Sequence, residues 1–143
     1  MKQAKMKRLS LLALLLTAGT AQAAPFDVTD AWFRSLPGKL PAGGYFIAQN
    51  NTGKDLAING ASSDACGMLM IHQSSNKGGM SGMDMVDSVK IPAGGMVKFA
   101  PGGYHLMCDA PKMKIGTKVP VVLHLSNGDA VAVGFAVKGA SGK

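Results

Sequence analysis

Short apolar runs separated by Gly, Pro and Asn limit the possible folds of this chain more than any other feature does. Beyond residue 23, none of these runs keeps the spacing of an amphipathic helix over a useful length. Short apolar runs bounded by turn residues are typical of a β-sandwich or a β-barrel. We therefore predict a single all-β domain with strands over residues 28–34, 44–50, 56–62, 68–72, 83–86, 96–99, 119–125 and 130–137.

Two segments between these runs indicate how the strands are connected. Residues 126–129 contain Asn127-Gly128 between two β-type runs, a pattern that strongly predicts a hairpin. Residues 73–82 are polar and rich in Gly, and we expect a flexible loop there.

The N-terminal segment has the pattern of a secretory signal peptide. A basic stretch precedes an apolar run over residues 9–16, and small residues at 21–23 form a cleavage site. The apolar run is too short for a permanent membrane helix, and no Cys follows it closely, so we expect neither a membrane anchor nor a lipid anchor. We predict a signal peptide at residues 1–23, cleaved after Ala23, and an exported domain at residues 24–143. A retained N-terminal anchor is the alternative.

The charged residues argue against several classes of function. Without the basic residues of the signal peptide, 11 Lys and Arg stand against 8 Asp, which leaves a net charge of about +3. The remaining Lys residues are scattered and are not interleaved with aromatic residues, so we expect no nucleic-acid binding. The chain has no Glu, no HExxH motif and no Gly-x-Ser-x-Gly motif, and we expect no enzymatic activity.

Cys66 and Cys108 are the only cysteines of the chain. We expect a disulfide between them, because exported proteins fold in an oxidising compartment. A free thiol that assists metal binding is the alternative, since Cys108 directly follows Met107 and Cys66 lies shortly before His72.

The strongest candidate site combines His72 and Met83 with His105 and Met107. His105 and Met107 are two residues apart on a stretch with the character of a strand, so both side chains point to one face of it. Thioethers are poor ligands for hard ions and select copper as Cu(I). We therefore predict a Cu(I) site that contains both imidazoles and both thioethers.

Other methionines compete with these for the same role. Met83 and Met85 share one face if their short strand is regular, so either fits the spacing, and Met80 is a candidate for a mobile third thioether. The remaining residues of these types are assigned to packing or to the surface, because Met usually fills cores and a lone His is seldom a ligand. They are Met68, Met70, Met96, Met113 and His124.

The spacing of the four candidate ligands resembles the signature of the PCu(A)C family of periplasmic copper chaperones. Ten residues separate the first His from the first Met, twenty-one separate that Met from the second His, and one residue separates the last pair. Residues 91–95 and 101–107 are similar to that family's turn and ligand strand, and residues 119–121 with the final hairpin fit it as well. The resemblance covers nearly all of residues 24–143.

This resemblance implies a cupredoxin-like or immunoglobulin-like β-sandwich or barrel in the periplasm. We expect the protein to be a monomer. The resemblance also implies Cu(I) as the cargo, favours Met83 over Met85, and implies delivery to the copper site of cytochrome c oxidase, with oxidase subunit II or a Sco-type protein as acceptor. The chain departs from many relatives at Met70, where they have an acidic residue. Its tail at residues 137–143 lacks the His and Met that bind a second ion in some relatives, and the Cys pair is a feature of only part of the family.

Two other copper functions stay open at this point. An electron-transfer cupredoxin would share the fold, but a blue-copper site needs a Cys thiolate, and its ligand loop usually runs Cys, His, Met. Here the order is His105, Met107, Cys108, with little room for a loop. A periplasmic copper storage or resistance protein is the other alternative, because it would use the same soft ligands.

Overall fold

The computed structural model describes residues 19–143, and all regular structure in this range is β-sheet, which confirms the predicted class. Within this range there is no helix of the length and apolarity that crossing a membrane requires. Most of the predicted signal peptide, residues 1–18, lies outside the described residues. The strands are β1 (Phe26–Arg34), β2 (Ala42–Asn50), β3 (Leu56–Ser62), β4 (Met68–Lys77), β5 (Met80–Met85), β6 (Val89–Ile91), β7 (Met96–Phe99), β8 (Tyr104–Asp109), β9 (Lys118–Leu125) and β10 (Ala130–Lys138).

The ten strands form one sheet that curls over on itself. Their order is β5-β4-β8-β2-β1-β10-β9-β3-β6, with β7 paired to β2. β2 pairs with β8 through residues 42–44 and with β7 through residues 46–49, so it changes partners at Tyr45. β3 also contacts β4, although these strands are not hydrogen-bonded neighbours. One face of the sheet therefore encloses the core and the other faces outward.

Aromatic side chains fill the enclosed face. Phe33 and Phe46 both pack against Phe135, and Phe46 stacks on Phe99 with ring centroids 4.3 Å apart. All four rings are at most 1% exposed. Since full burial of a side chain of this size contributes roughly 1.5–3 kcal/mol, these rings make a large contribution to stability.

Gly44 allows β2 to approach β8 closely beside the candidate site. A Cβ atom at this position would lie 2.8 Å from the ring of Phe33 and 3.0 Å from the Cβ of Leu106. Leu106 lies between the two candidate ligands of β8. The close contact of Gly44 with Leu106 therefore determines how near β8 lies to the core.

The expected loop at residues 73–82 is wrong, because these residues form a hairpin. β4 continues to Lys77, Gly78 and Gly79 make the turn, and β5 begins at Met80. Both glycines have positive φ, 61° and 81°, as a two-residue turn of type I′ requires. Residues 73–82 are polar and rich in Gly and carry no apolar run, so only the end of β5 was predicted, within the strand over residues 83–86.

The hairpin predicted at residues 126–129 is confirmed. β9 and β10 pair antiparallel on either side of it, and Gly128 has a φ of 90°. The short strand β6 and the full extent of β8 were absent from the predicted strands, although the alternation at residues 105–107 indicated a strand there.

Candidate metal centre

The two predicted histidines meet on the outward face of the sheet. His72 of β4 lies directly opposite His105 of β8 and, on its other side, directly opposite Met85 of β5. The imidazole ring centroids are 5.8 Å apart. Residues that face each other across antiparallel strands have Cβ atoms only about 4.5–5.5 Å apart, so these three side chains form one continuous row.

The predicted thioethers flank this row. Met107 lies two residues beyond His105 on the same face, where it is opposite Met70. Met83 lies two residues before Met85 and opposite Ser74, so it shares the face but sits one row farther from the histidines than Met85 does. Strand alternation therefore places all four predicted ligands on one face of the sheet, with Met107 and Met83 on opposite sides of the histidine row and Met85 nearest to His72.

Met80 is not brought to this face. It pairs with Lys77 at the hairpin turn, and its position five residues before Met85 places it on the opposite face of β5. Asp84 shares that opposite face and forms an ion pair with Lys77 at 3.1 Å.

The sulfur atoms of the two cysteines are bonded to each other and are not available as metal ligands. Cys66 and Cys108 form a disulfide with Cα atoms 5.3 Å apart, and the part of the chain that the structure describes has no free cysteine. Cys108 is fully buried on the core side of β8, the face opposite to that of His105 and Met107. Among residues 19–143 no three His, Cys, Asp or Glu side chains are grouped to hold a metal, and the imidazoles are accompanied by thioethers instead.

A backbone carbonyl orients the His105 ring. His105 is 5% exposed, and its Nδ1 lies 3.1 Å from the carbonyl oxygen of Gly103. Because a carbonyl oxygen only accepts, Nδ1 is the donor, so in the neutral ring Nε2 is the nitrogen with the free lone pair. Nε2 is buried without a hydrogen-bond partner, and the same Gly103 oxygen accepts the N–H of Ser74 from β4. This arrangement leaves Nε2 as the ring nitrogen that is oriented for a metal ion.

His72 also has the properties of an available ligand. Neither of its ring nitrogens has a hydrogen-bond partner, and both are buried. Burial and, secondarily, the neighbouring His105 imidazole lower the pKa of His72 below its usual value. The ring is therefore neutral over a wider pH range than a free imidazole, which favours metal binding.

The lowered pKa of His72 makes stability depend on pH. Between the pKa of His72 in the folded protein and its higher value in the unfolded chain, the unfolded chain binds more protons. The free energy of unfolding of the apo-protein should therefore fall as the pH drops below about 6.5. We expect urea midpoints measured at about pH 7.5 and 5.5 to differ less in His72→Gln than in the wild type. An equal difference in both proteins would contradict this prediction.

Two methionines of the outward-facing surface lie where the sequence did not lead us to expect them. Met68 and Met96 were assigned to the core but are 58% and 61% exposed, whereas Met113 does pack against the core as expected. Met68 and Met70 alternate with His72 along β4 in the same way that His105 alternates with Met107 along β8. The two-residue spacing of Met68, Met70 and His72 is visible in the sequence. Because methionine usually fills cores, these methionines were nevertheless expected in the packing.

His124 has no part in this centre. It is exposed on β9, and its Nε2 lies 3.1 Å from the hydroxyl oxygen of Ser62. Its assignment as an ordinary surface histidine agrees with this position.

Sequence relatives of the chain are described as lipoproteins. Residues 26–137 match the family LpqE-like, described as "Putative lipoprotein LpqE-like". A protein of Leifsonia xyli subsp. xyli (strain CTCB07), named "Putative lipoprotein Lxx21020", is 35% identical over 125 residues, which cover 85% of this chain and 74% of the relative.

Solved structures with a similar fold include copper-bound proteins. The Cu(I) form of DR1885 from Deinococcus radiodurans is 29% identical, with a TM-score of 0.67 over 82% of this chain and 81% of that one. The copper-bound PCuAC domain of PmoF2 has a TM-score of 0.68 at 21% identity, over 82% of this chain and 96% of that domain. At that identity the similarity to PmoF2 shows a shared fold.

Proposed function

Because this chain belongs to the LpqE-like family, we propose that it is an exported copper chaperone of the PCu(A)C type that binds Cu(I) on the outward face of β4, β5 and β8. One observation carries the proposal. Two imidazoles stand in register across β4 and β8, with unpartnered nitrogens and with thioethers in the adjoining positions. The similarity to Cu(I)-bound DR1885 supports copper as the cargo.

The proposed ligands are His72, His105, Met107 and Met83. All four are neutral and soft or borderline, as Cu(I) prefers, and the thioethers need no deprotonation. Met85 is the rival of Met83, because it stands directly opposite His72, whereas the resemblance to the PCu(A)C family favours Met83. Both side chains are exposed at the edge of the sheet.

This exposure suits a carrier. Met83 and Met85 lie on β5, the last strand at one end of the sheet, so an acceptor protein can approach them from the side. We infer that copper leaves by exchange of one thioether at a time for a ligand of the acceptor. The resemblance points to cytochrome c oxidase subunit II or a Sco-type protein as acceptor.

We place the protein in the periplasm, with the signal peptide removed after Ala23. The description of its family and of its relative as lipoproteins supports an exported protein. The disulfide supports the same compartment, since disulfides persist where conditions are oxidising.

The proposal is tested by anaerobic titration of the exported protein with Cu(I) against a coloured Cu(I) chelator. We expect one tightly bound equivalent and a colourless complex, because Cu(I) is a d¹⁰ ion. Absence of competition with the chelator would refute the proposal, and an intense blue complex would indicate an electron-transfer protein.

Delivery is tested separately. The Cu(I)-loaded protein is mixed with the apo form of the soluble copper domain of oxidase subunit II, and the two are separated and assayed for copper. Transfer is expected. Retention of the copper, with this domain and with a Sco-type protein, would favour a storage or resistance role.

A further inference from the structure

The outward face of β4 carries more thioethers than one copper site uses. Met68, Met70 and His72 occupy successive outward positions, and Met70 lies directly opposite Met107. The inward positions between them belong to the core side, where Ile71 is 3% exposed. Strand alternation therefore produces a row of thioethers that runs from the histidine pair toward the start of β4.

Packing does not account for these two methionines. Met68 is 58% exposed, and Met70 is only partly buried. An apolar side chain on an outward strand position gains little from the hydrophobic effect, and a polar residue is the usual choice there. What Met68 and Met70 add is two soft sulfur ligands next to a third, Met107.

We propose that Met68, Met70 and Met107 form a second, weaker Cu(I) position beside the histidine site, with Met107 common to both. This inference rests on the proposed copper function and extends it. Cu(I) accepts three soft ligands, and facing strand positions place the Met70 and Met107 side chains within reach of one ion. The position lacks an imidazole, so it should bind Cu(I) less tightly than the histidine site.

The shared ligand gives the ion a path between the two positions. Cu(I) leaves His72 and His105 as it gains Met70 and Met68, while the bond to Met107 is kept. No electron is transferred and every ligand stays neutral, so the step is simple ligand exchange. Asp109 lies opposite Met68. Because Lys39 and Lys112 line the same groove as Asp109, we do not count the Asp109 carboxylate among the ligands.

The test follows the methionine methyl groups by NMR in exported protein carrying carbon-13-labelled methionine. Cu(I) is added anaerobically to one and then two equivalents. We expect the first equivalent to shift the Met107 signal, and the second to shift those of Met68 and Met70. Met80 and Met96 are internal controls, because both are exposed and lie outside the row.

A double variant, Met68→Leu with Met70→Leu, should reduce the capacity from two equivalents to one and leave the first unchanged. The matched control is Met96→Leu, which should retain both. The inference is overturned if the Met68 and Met70 signals stay unmoved at two equivalents, if Met80 and Met96 shift equally, or if the double variant still binds two. Binding of a single equivalent refutes only this inference, whereas absence of any binding refutes the copper function as well.

Discussion

Replacing Met107 with Leu is expected to lower the affinity of the protein for Cu(I) by at least about 100-fold, or about 2.7 kcal/mol. Loss of a residue that merely orients a metal ligand already costs about 10–100-fold, and Met107 is proposed as a direct ligand next to the imidazole of His105. Leu has nearly the same volume and Met107 is only partly buried, so the fold should be preserved. Competition with a Cu(I) chelator measures the affinity, and circular dichroism checks the fold.

The matched control is Met96→Leu. Met96 is an exposed methionine on β7, a strand that pairs with β2 and carries none of the proposed ligands. This variant should bind Cu(I) as the wild type does. Unchanged affinity in Met107→Leu would refute the ligand assignment for β8.

The same assay decides between the two methionines of β5. If Met83 is the fourth ligand, Met83→Leu should weaken binding and Met85→Leu should not. The reverse result would show that the direct register with His72 determines the ligand. Equal small losses would indicate that the two thioethers exchange on a single ion.

Removing the disulfide is expected to have the largest effect on stability. Cys66 and Cys108 are separated by 42 residues, and a cross-link of that loop length restricts the unfolded chain by about 4 kcal/mol. The double variant Cys66→Ala, Cys108→Ala should therefore unfold roughly 10–20 °C lower than the wild type. Thermal unfolding followed by circular dichroism measures this shift.

The Cu(I) affinity of the double variant distinguishes a structural role of the two cysteines from a role as metal ligands. Cys108 lies on the core side of β8, so the folded double variant should keep the Cu(I) affinity of the wild type at low temperature. A large loss of affinity in a folded variant would instead support thiol ligation. A Tm shift below a few degrees would show that the loop is already restricted in the unfolded chain.

Much of the fold was predictable from local features. Short apolar runs bounded by turn residues identified most strands, and Asn127-Gly128 identified the final hairpin, because both signals depend only on neighbouring residues. The hairpin at residues 73–82 was missed for the converse reason. Its residues are polar and rich in Gly, so no apolar run marks a strand there, and only the end of the β5 arm was predicted, within the strand over residues 83–86.

The candidate site was predictable in part. The pair His105 and Met107 was expected on one face from its spacing alone, and His72 and Met83 were added from the chemistry of their side chains. The resemblance to the PCu(A)C family favoured Met83 over Met85. That resemblance is borne out by the similarity to PCuAC domains and by membership of the LpqE-like family. The assignment of the four ligands itself remains a prediction for the titrations to test.

The sequence by itself determined the all-β class, most of the strands and the soft character of the ligands, because these follow from side-chain chemistry and short-range periodicity. Only the tertiary structure decided that His72 faces His105, that Met85 lies nearer to His72 than Met83 does, and that Met70 lies opposite Met107. Pairing between distant strands depends on their register, and a shift of one residue would turn every side chain to the other face. That register is determined by the core packing and the turns of the whole sheet, which no local stretch of sequence contains.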